Sequence, residues 1–119
     1  MPARRRRKAG GSFETFCIEQ ILLHVRLTDP TTEAYFYRTH GGVEVDLVLR
    51  LRGRLVPIEI KLGTSPPDTT SLERCCRYLD VTRGYVVNLR HDVTEIRRGI
   101  LMTGLRELLE ELRLSPPIP

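Results

Sequence analysis

Residues 42–62, GVEVDLVLRLRGRLVPIEIKL, alternate apolar and polar side chains on either side of Arg52-Gly53, the period of two strands joined by a two-residue turn. With Leu51 facing Arg54, each step back along the first strand meets a step forward along the second. Asp46 then falls opposite Glu59, and Glu44 opposite Lys61. Facing residues have Cβ atoms about 5 Å apart, and like charges at that distance are destabilising, so the two acids require compensation. A divalent cation would supply it, as would a raised pKa on one acid. A plain charge ladder, with Glu44 paired to Lys61 in solvent, is the alternative. Strict alternation puts Val43, Val45, Leu47, Leu49 and Leu51 on one face with Val56, Ile58, Ile60 and Leu62. The other face takes Glu44, Asp46, Val48, Arg50, Leu55, Pro57, Glu59 and Lys61. A three-residue turn would undo the facing of the acids, and Pro57, which has no N–H, hints at a bulge or a late strand start.

The flanking segments fix the class. Ser12 is a suitable N-cap for a helix over 13–25, which the Asp29-Pro30 pair ends. EAYFYRT (33–39) reads as a strand, and Gly41-Gly42 turn into the hairpin. GTSPPDTT (63–70) is a loop. Thr70 with Glu73 suggests a capping box for a helix to about Leu79. GYVVNL (84–89) is an almost wholly apolar strand suited to cover on both faces, and TEI (94–96) suits an edge strand. A helix over 98–112 is expected from the spacing of Leu101, Leu105, Leu108, Leu109 and Leu112. The order αβββαβα predicts an α/β sandwich, a mixed central sheet flanked by helices. One domain over 12–113 is expected between a basic flexible tail (1–11) and a Pro-rich tail (114–119).

A chain of 119 residues, 40% hydrophobic and 29% charged, has the composition of an ordinary globular domain. No apolar run reaches the roughly 18 to 20 residues needed to cross a bilayer, and no apolar segment follows the basic start, so a cytoplasmic protein without a membrane partner is expected. Three cysteines (17, 75 and 76) lack disulfide or zinc spacing. His24, His40 and His91 are scattered, and His91-Asp92 reads as a solvated turn. The net charge of +4 is concentrated in Arg4, Arg5, Arg6, Arg7 and Lys8; subtracting those five leaves −1 for the other 114 residues. Such a run either binds nucleic acid or is simply solvated.

On a helical wheel, Phe13, Cys17, Ile18, Ile21, Leu22 and Val25 form an apolar arc with Glu14 in its middle. A carboxylate there needs a partner, and the acids of the sheet are candidates. A helix with an inward Glu, a strand Asp and then E-x-K on the next strand resembles the PD-(D/E)XK nuclease superfamily, with Glu14, Asp46, Glu59 and Lys61 matching its motif. A closer likeness is to the nuclease-like C-terminal domain, of undefined function, of archaeal and bacterial AAA+ type ATPases. SFETFCIEQIL (12–22), YFYRTHGGVEVDLVLRLRGRLVPIEIKL (35–62) and GYVVNL carry it, most specifically through R-T-x-x-G-x-E-V-D followed by P-I-E-I-K.

The resemblance implies a restriction-endonuclease-like sandwich and metal-dependent hydrolysis of DNA. Asp46 and Glu59, with the Ile60 carbonyl, would hold Mg²⁺ or Mn²⁺. Lys61 would neutralise charge, and Glu14 would support the ion or its water. Arg4 to Lys8 and Arg38, with Arg50, Arg74 and Arg77, would contact backbone phosphates. Homodimerisation and an ATPase partner are also implied. Two departures stand beside these: Gln20 occupies a position where the family usually has a second Glu, and no G-x-x-x-x-G-K-[ST] occurs, so this chain is not expected to bind ATP. The alternative is an inactive module of the same fold that binds DNA or a protein.

Overall fold

In the computed structural model, which describes residues 3–5, 12–63 and 67–114, Ser12 caps the first helix. Its hydroxyl accepts the Thr15 N–H at 3.1 Å, and helix α1 runs over Phe13–Thr28. Cys17, Ile18, Ile21 and Val25 are buried, as their spacing requires. Phe13, expected on the same arc, is instead about half exposed and stacks on Phe16 with ring centroids 5.5 Å apart.

Among the described residues the sheet has seven strands: β1 (Ala3–Arg5), β2 (Glu33–Arg38), β3 (Glu44–Leu51), β4 (Arg54–Ile60), β5 (Gly84–Asn88), β6 (Val93–Arg97) and β7 (Ile100–Gly104). Their spatial order is β1-β2-β3-β4-β5-β7-β6. β4, β5 and β7 are mutually parallel and every other pairing is antiparallel, so the sheet is mixed. Helices α1 and α3 (Leu105–Leu114) cover one face with Leu47, Leu49, Leu51, Ile58 and Ile60 beneath them. Helix α2 (Thr70–Leu79) covers the other, over Tyr37, Val45, Val48 and Val86. The mixed α/β class is therefore as expected.

The β3–β4 turn has the two-residue geometry. Arg52 and Gly53 both take positive φ, 50° and 80°, the requirement of a hairpin turn whose twist matches its strands. The register Leu51↔Arg54, Leu49↔Val56 and Leu47↔Ile58 follows from it. Pro57 costs the sheet little, because pairing of β4 with β5 begins only at Ile58.

Several expectations need correction. Between the pairs Tyr35↔Val48 and Tyr37↔Val45, Phe36 of β2 faces two residues of β3, Asp46 and Leu47. This β-bulge reverses the alternation, so Val43 and Val45 pack towards α2 and not beside Leu47 and Leu49. The stretch after β5 is also not one helix from residue 98. Gly99, at φ 81°, turns β6 into β7, and α3 begins only at Leu105. Leu101 belongs to a strand because Arg98-Gly99 form a hairpin turn that the helical spacing of the leucines hides. Helix α2 is capped by Thr69, not Thr70; the Thr69 hydroxyl meets Glu73 Oε2 at 2.6 Å. Ala3–Arg5, read as part of a flexible tail, pair with β2 as an edge strand. β5 is buried along its whole length and β6 forms the far edge, both as expected.

Candidate functional site

Asp46, Glu59 and Lys61 come together where the bulge of β3 lies beside the C-terminal end of β4. The bulge aims Asp46 towards its neighbour strand: Asp46 Oδ2 accepts the Ile60 N–H at 2.8 Å, and the Asp46 N–H is donated to Glu59 Oε1 at 3.2 Å. Each acid is thus tied to the other's strand. Lys61 Nζ stands 3.4 Å from Glu59 Oε2, while the Lys61 N–H is donated to the Val87 carbonyl of β5 at 2.8 Å. These bonds bring together Asp46 of β3, Glu59 of β4 and Lys61, which follows β4 directly.

Glu59 is only 8% exposed and Lys61 about half exposed. Burial first, and the charge of Asp46 second, push the Glu59 carboxyl up to about 7; Lys61 and the Asp46 amide oppose this less strongly. The like-charge conflict expected from the hairpin is thus expressed as a raised pKa. It also marks the pair as a place where a cation would be stabilised. Glu59 sits beneath α2, and its charge adds to the burial and the Cys76 charge that raise the Cys75 thiol to about 12.

The Glu44–Lys61 charge ladder does not form. Glu44 lies opposite Arg38 of β2 and pairs with it at 3.1 Å, because the bulge shifts its neighbours. Glu14 lies half-buried in the first turn of α1, whose buried residues pack on the opposite face of the sheet, near Cys17. Among the described residues no group of three or more His, Cys, Asp or Glu side chains stands close enough to hold a metal ion. A Mg²⁺ ion is nonetheless commonly held by one or two carboxylates and several waters, and Asp46 with Glu59 offers that donor set. The backbone of Arg4 and Arg5 lies in β1, whereas Arg6, Arg7 and Lys8 lie outside the described residues.

Two residues at this end of the sheet escaped the sequence reading. Asp68, exposed in the loop before α2, accepts the Thr70 N–H at 3.0 Å; hydrogen bonds from Thr70 lower its pKa and Lys61 contributes weakly. Asn88 is buried at the end of β5, its Oδ1 accepting the Arg90 N–H at 3.0 Å. An acid just before a helix and a polar residue ending an apolar strand were the available signals.

Fold and site together define a mixed α/β domain with a clasped carboxylate pair and a lysine at the C-terminal strand ends. The chain belongs to the family described as "Domain of unknown function (DUF4143)", which matches residues 9–108. No curated protein matches it. Among solved structures it is similar to protein VC1899 from Vibrio cholerae, with 20% identity and a TM-score of 0.50 over 84% of this chain and 31% of that one. The chain thus spans about a third of that protein's length, and the likeness concerns the fold alone. Among the described residues no helix is long and apolar enough to cross a membrane.

Proposed function

We propose that this domain is a Mg²⁺- or Mn²⁺-dependent DNA nuclease of the PD-(D/E)XK type. The observation that carries the reading is the clasp: Asp46 and Glu59, each accepting a main-chain N–H from beside the other, with Lys61 on the second acid. Asp46 and Glu59, with the Ile60 carbonyl, would hold the ion. When bound, such an ion lowers the pKa of a water and offsets charge on a phosphate. Glu59, neutral or charged near pH 7, would bind the ion by giving up its proton. Lys61 projects its ammonium beside the pair and would stabilise negative charge on the phosphate. Glu14, on the helix that covers the opposite face of the sheet, takes no part in this reading. Arg4 to Lys8 and Arg38 would contact phosphates along the DNA.

The test is cleavage of branched and single-stranded DNA with millimolar Mn²⁺. Wild-type chain is expected to cleave, and Asp46→Ala and Glu59→Ala are expected to lose about 100-fold or more. Equal cleavage by all three would identify a contaminant and sink the reading. A second reading, a binding module of the same fold acting with DNA or an ATPase partner, is favoured by Gln20 and by the lack of a third acid near the pair among the described residues. It predicts no cleavage and no thermal stabilisation by Mn²⁺.

A further inference from the structure

A cavity of about 660 Å³ opens at the N-terminal ends of β4, β5 and β7, the opposite strand ends from Glu59. Four arginines line it, Arg52, Arg54, Arg83 and Arg98, against one acid, Asp80. Leu51, Val56 and Leu112, all buried, form its apolar wall. From Arg54 to Glu59 is five strand steps, roughly 17 Å, so this cavity is separate from the carboxylate clasp.

Arg52 is built into the cavity. It occupies a positive-φ turn position (50°), which costs a non-glycine residue, and its N–H is donated to Asp29 Oδ2 at 2.9 Å. Its guanidinium donates to the Leu112 and Arg113 carbonyls at the end of α3, yet its Nε is buried with no partner among the described residues. Arg83 bridges Glu111 at 3.4 Å, with both side chains well exposed, and also hydrogen-bonds the Tyr85 side chain, which leaves part of its five-donor fork for a ligand. Arg98 is exposed on the β6–β7 turn.

We propose that this cavity binds an organic phosphate monoester, with its phosphate on Arg54, Arg83 and Arg98 and its body on the Leu51, Val56 and Leu112 wall. The lining carries a net charge of +3 from four arginines and one aspartate, which favours a dianion over a monocarboxylate. Planar guanidinium forks match the several acceptor oxygens of a phosphate. The apolar wall would be wasted on inorganic phosphate, and a volume in the range of ordinary ligand clefts accommodates a ring-sized body. The inference stands apart from the nuclease reading, since it shares no residue with the clasp.

The experiment is calorimetric titration of the full chain with 1-naphthyl phosphate, inorganic phosphate and 1-naphthol at constant ionic strength. Saturable binding of the ester, about ten-fold tighter than phosphate, is expected, with none for the naphthol. Arg83→Glu and Arg98→Glu should each weaken it about ten-fold or more, while the charge-matched control Arg90→Glu, at the other strand ends, should leave it within about two-fold. Thermal melts of each variant establish that it is folded. Unchanged affinity in folded Arg83→Glu and Arg98→Glu, an equal loss in Arg90→Glu, or naphthol binding as well as its ester would overturn the proposal.

Discussion

Asp46 and Glu59 are bound through each other's strands: the Asp46 amide donates to Glu59 Oε1 at 3.2 Å, and Asp46 Oδ2 accepts the Ile60 amide at 2.8 Å. Neither acid can turn into solvent to escape the other without breaking a main-chain hydrogen bond. Burial first, and their repulsion second, therefore raise the Glu59 pKa.

The coupling is measurable. Asp46→Asn keeps an acceptor for the Ile60 amide but removes the charge. A carbon-13 NMR titration is expected to show the Glu59 carboxyl falling from about 7 yet staying above 4.5, since burial is the larger cause. An unchanged value would mean that the two acids do not interact.

The same shift makes stability depend on pH. Between 4.5 and about 7 folded Glu59 retains a proton that the unfolded chain has released. The resulting stability is complete below about pH 4.5, declines as the pH rises through 7, and is then gone. The whole shift corresponds to about 3 kcal/mol. Urea unfolding in chelator-treated buffer should show wild type losing stability relative to Glu59→Gln between pH 5 and pH 8. A constant difference across that range would contradict the assignment.

The thiols should be inert in the native state. Cys17, Cys75 and Cys76 are all buried, and burial raises each thiol, Cys75 to about 12 and Cys76 to about 11. Thiolate is the reactive form, so a disulfide-exchange reagent at pH 8 should label none of the three until denaturant is added, and all three afterwards. Rapid native labelling of Cys75 would show that α2 does not seal the sheet.

Gly99 should resist substitution. Its φ of 81° is left-handed, and a β-carbon there would overlap the Thr82 carbonyl oxygen, while its own carbonyl accepts the Gly84 N–H at 2.9 Å. Gly99→Ala is expected to cost about 2 kcal/mol or more in urea unfolding. A loss below about 0.5 kcal/mol would mean that the turn relaxes freely.

The hairpin was legible because its information is local. Alternation from Leu47 to Ile60 and the Arg52-Gly53 dipeptide set the register of the hairpin, whereas the bulge at Asp46 and Leu47 carries Asp46 to Glu59. Ser12 as a cap and Gly84–Asn88 as a doubly covered strand were legible for the same reason. The Leu101 to Leu112 stretch misled because leucines at helical spacing continue across a strand end, where only Gly99 and Gly104 mark the break.

By itself the sequence determined the mixed α/β class and the β3–β4 pairing from Leu47 to Ile58, since turn chemistry and period-two patterning act between near neighbours. Tertiary structure alone decided three further matters: the bulge at Asp46 and Leu47, the sealing of Glu59 beneath α2, and the assembly of an arginine-lined cavity from residues 52 to 98. Each depends on contacts between segments far apart in the chain. Pairing with β2, cover by a helix and convergence of strand ends leave no mark in local spacing.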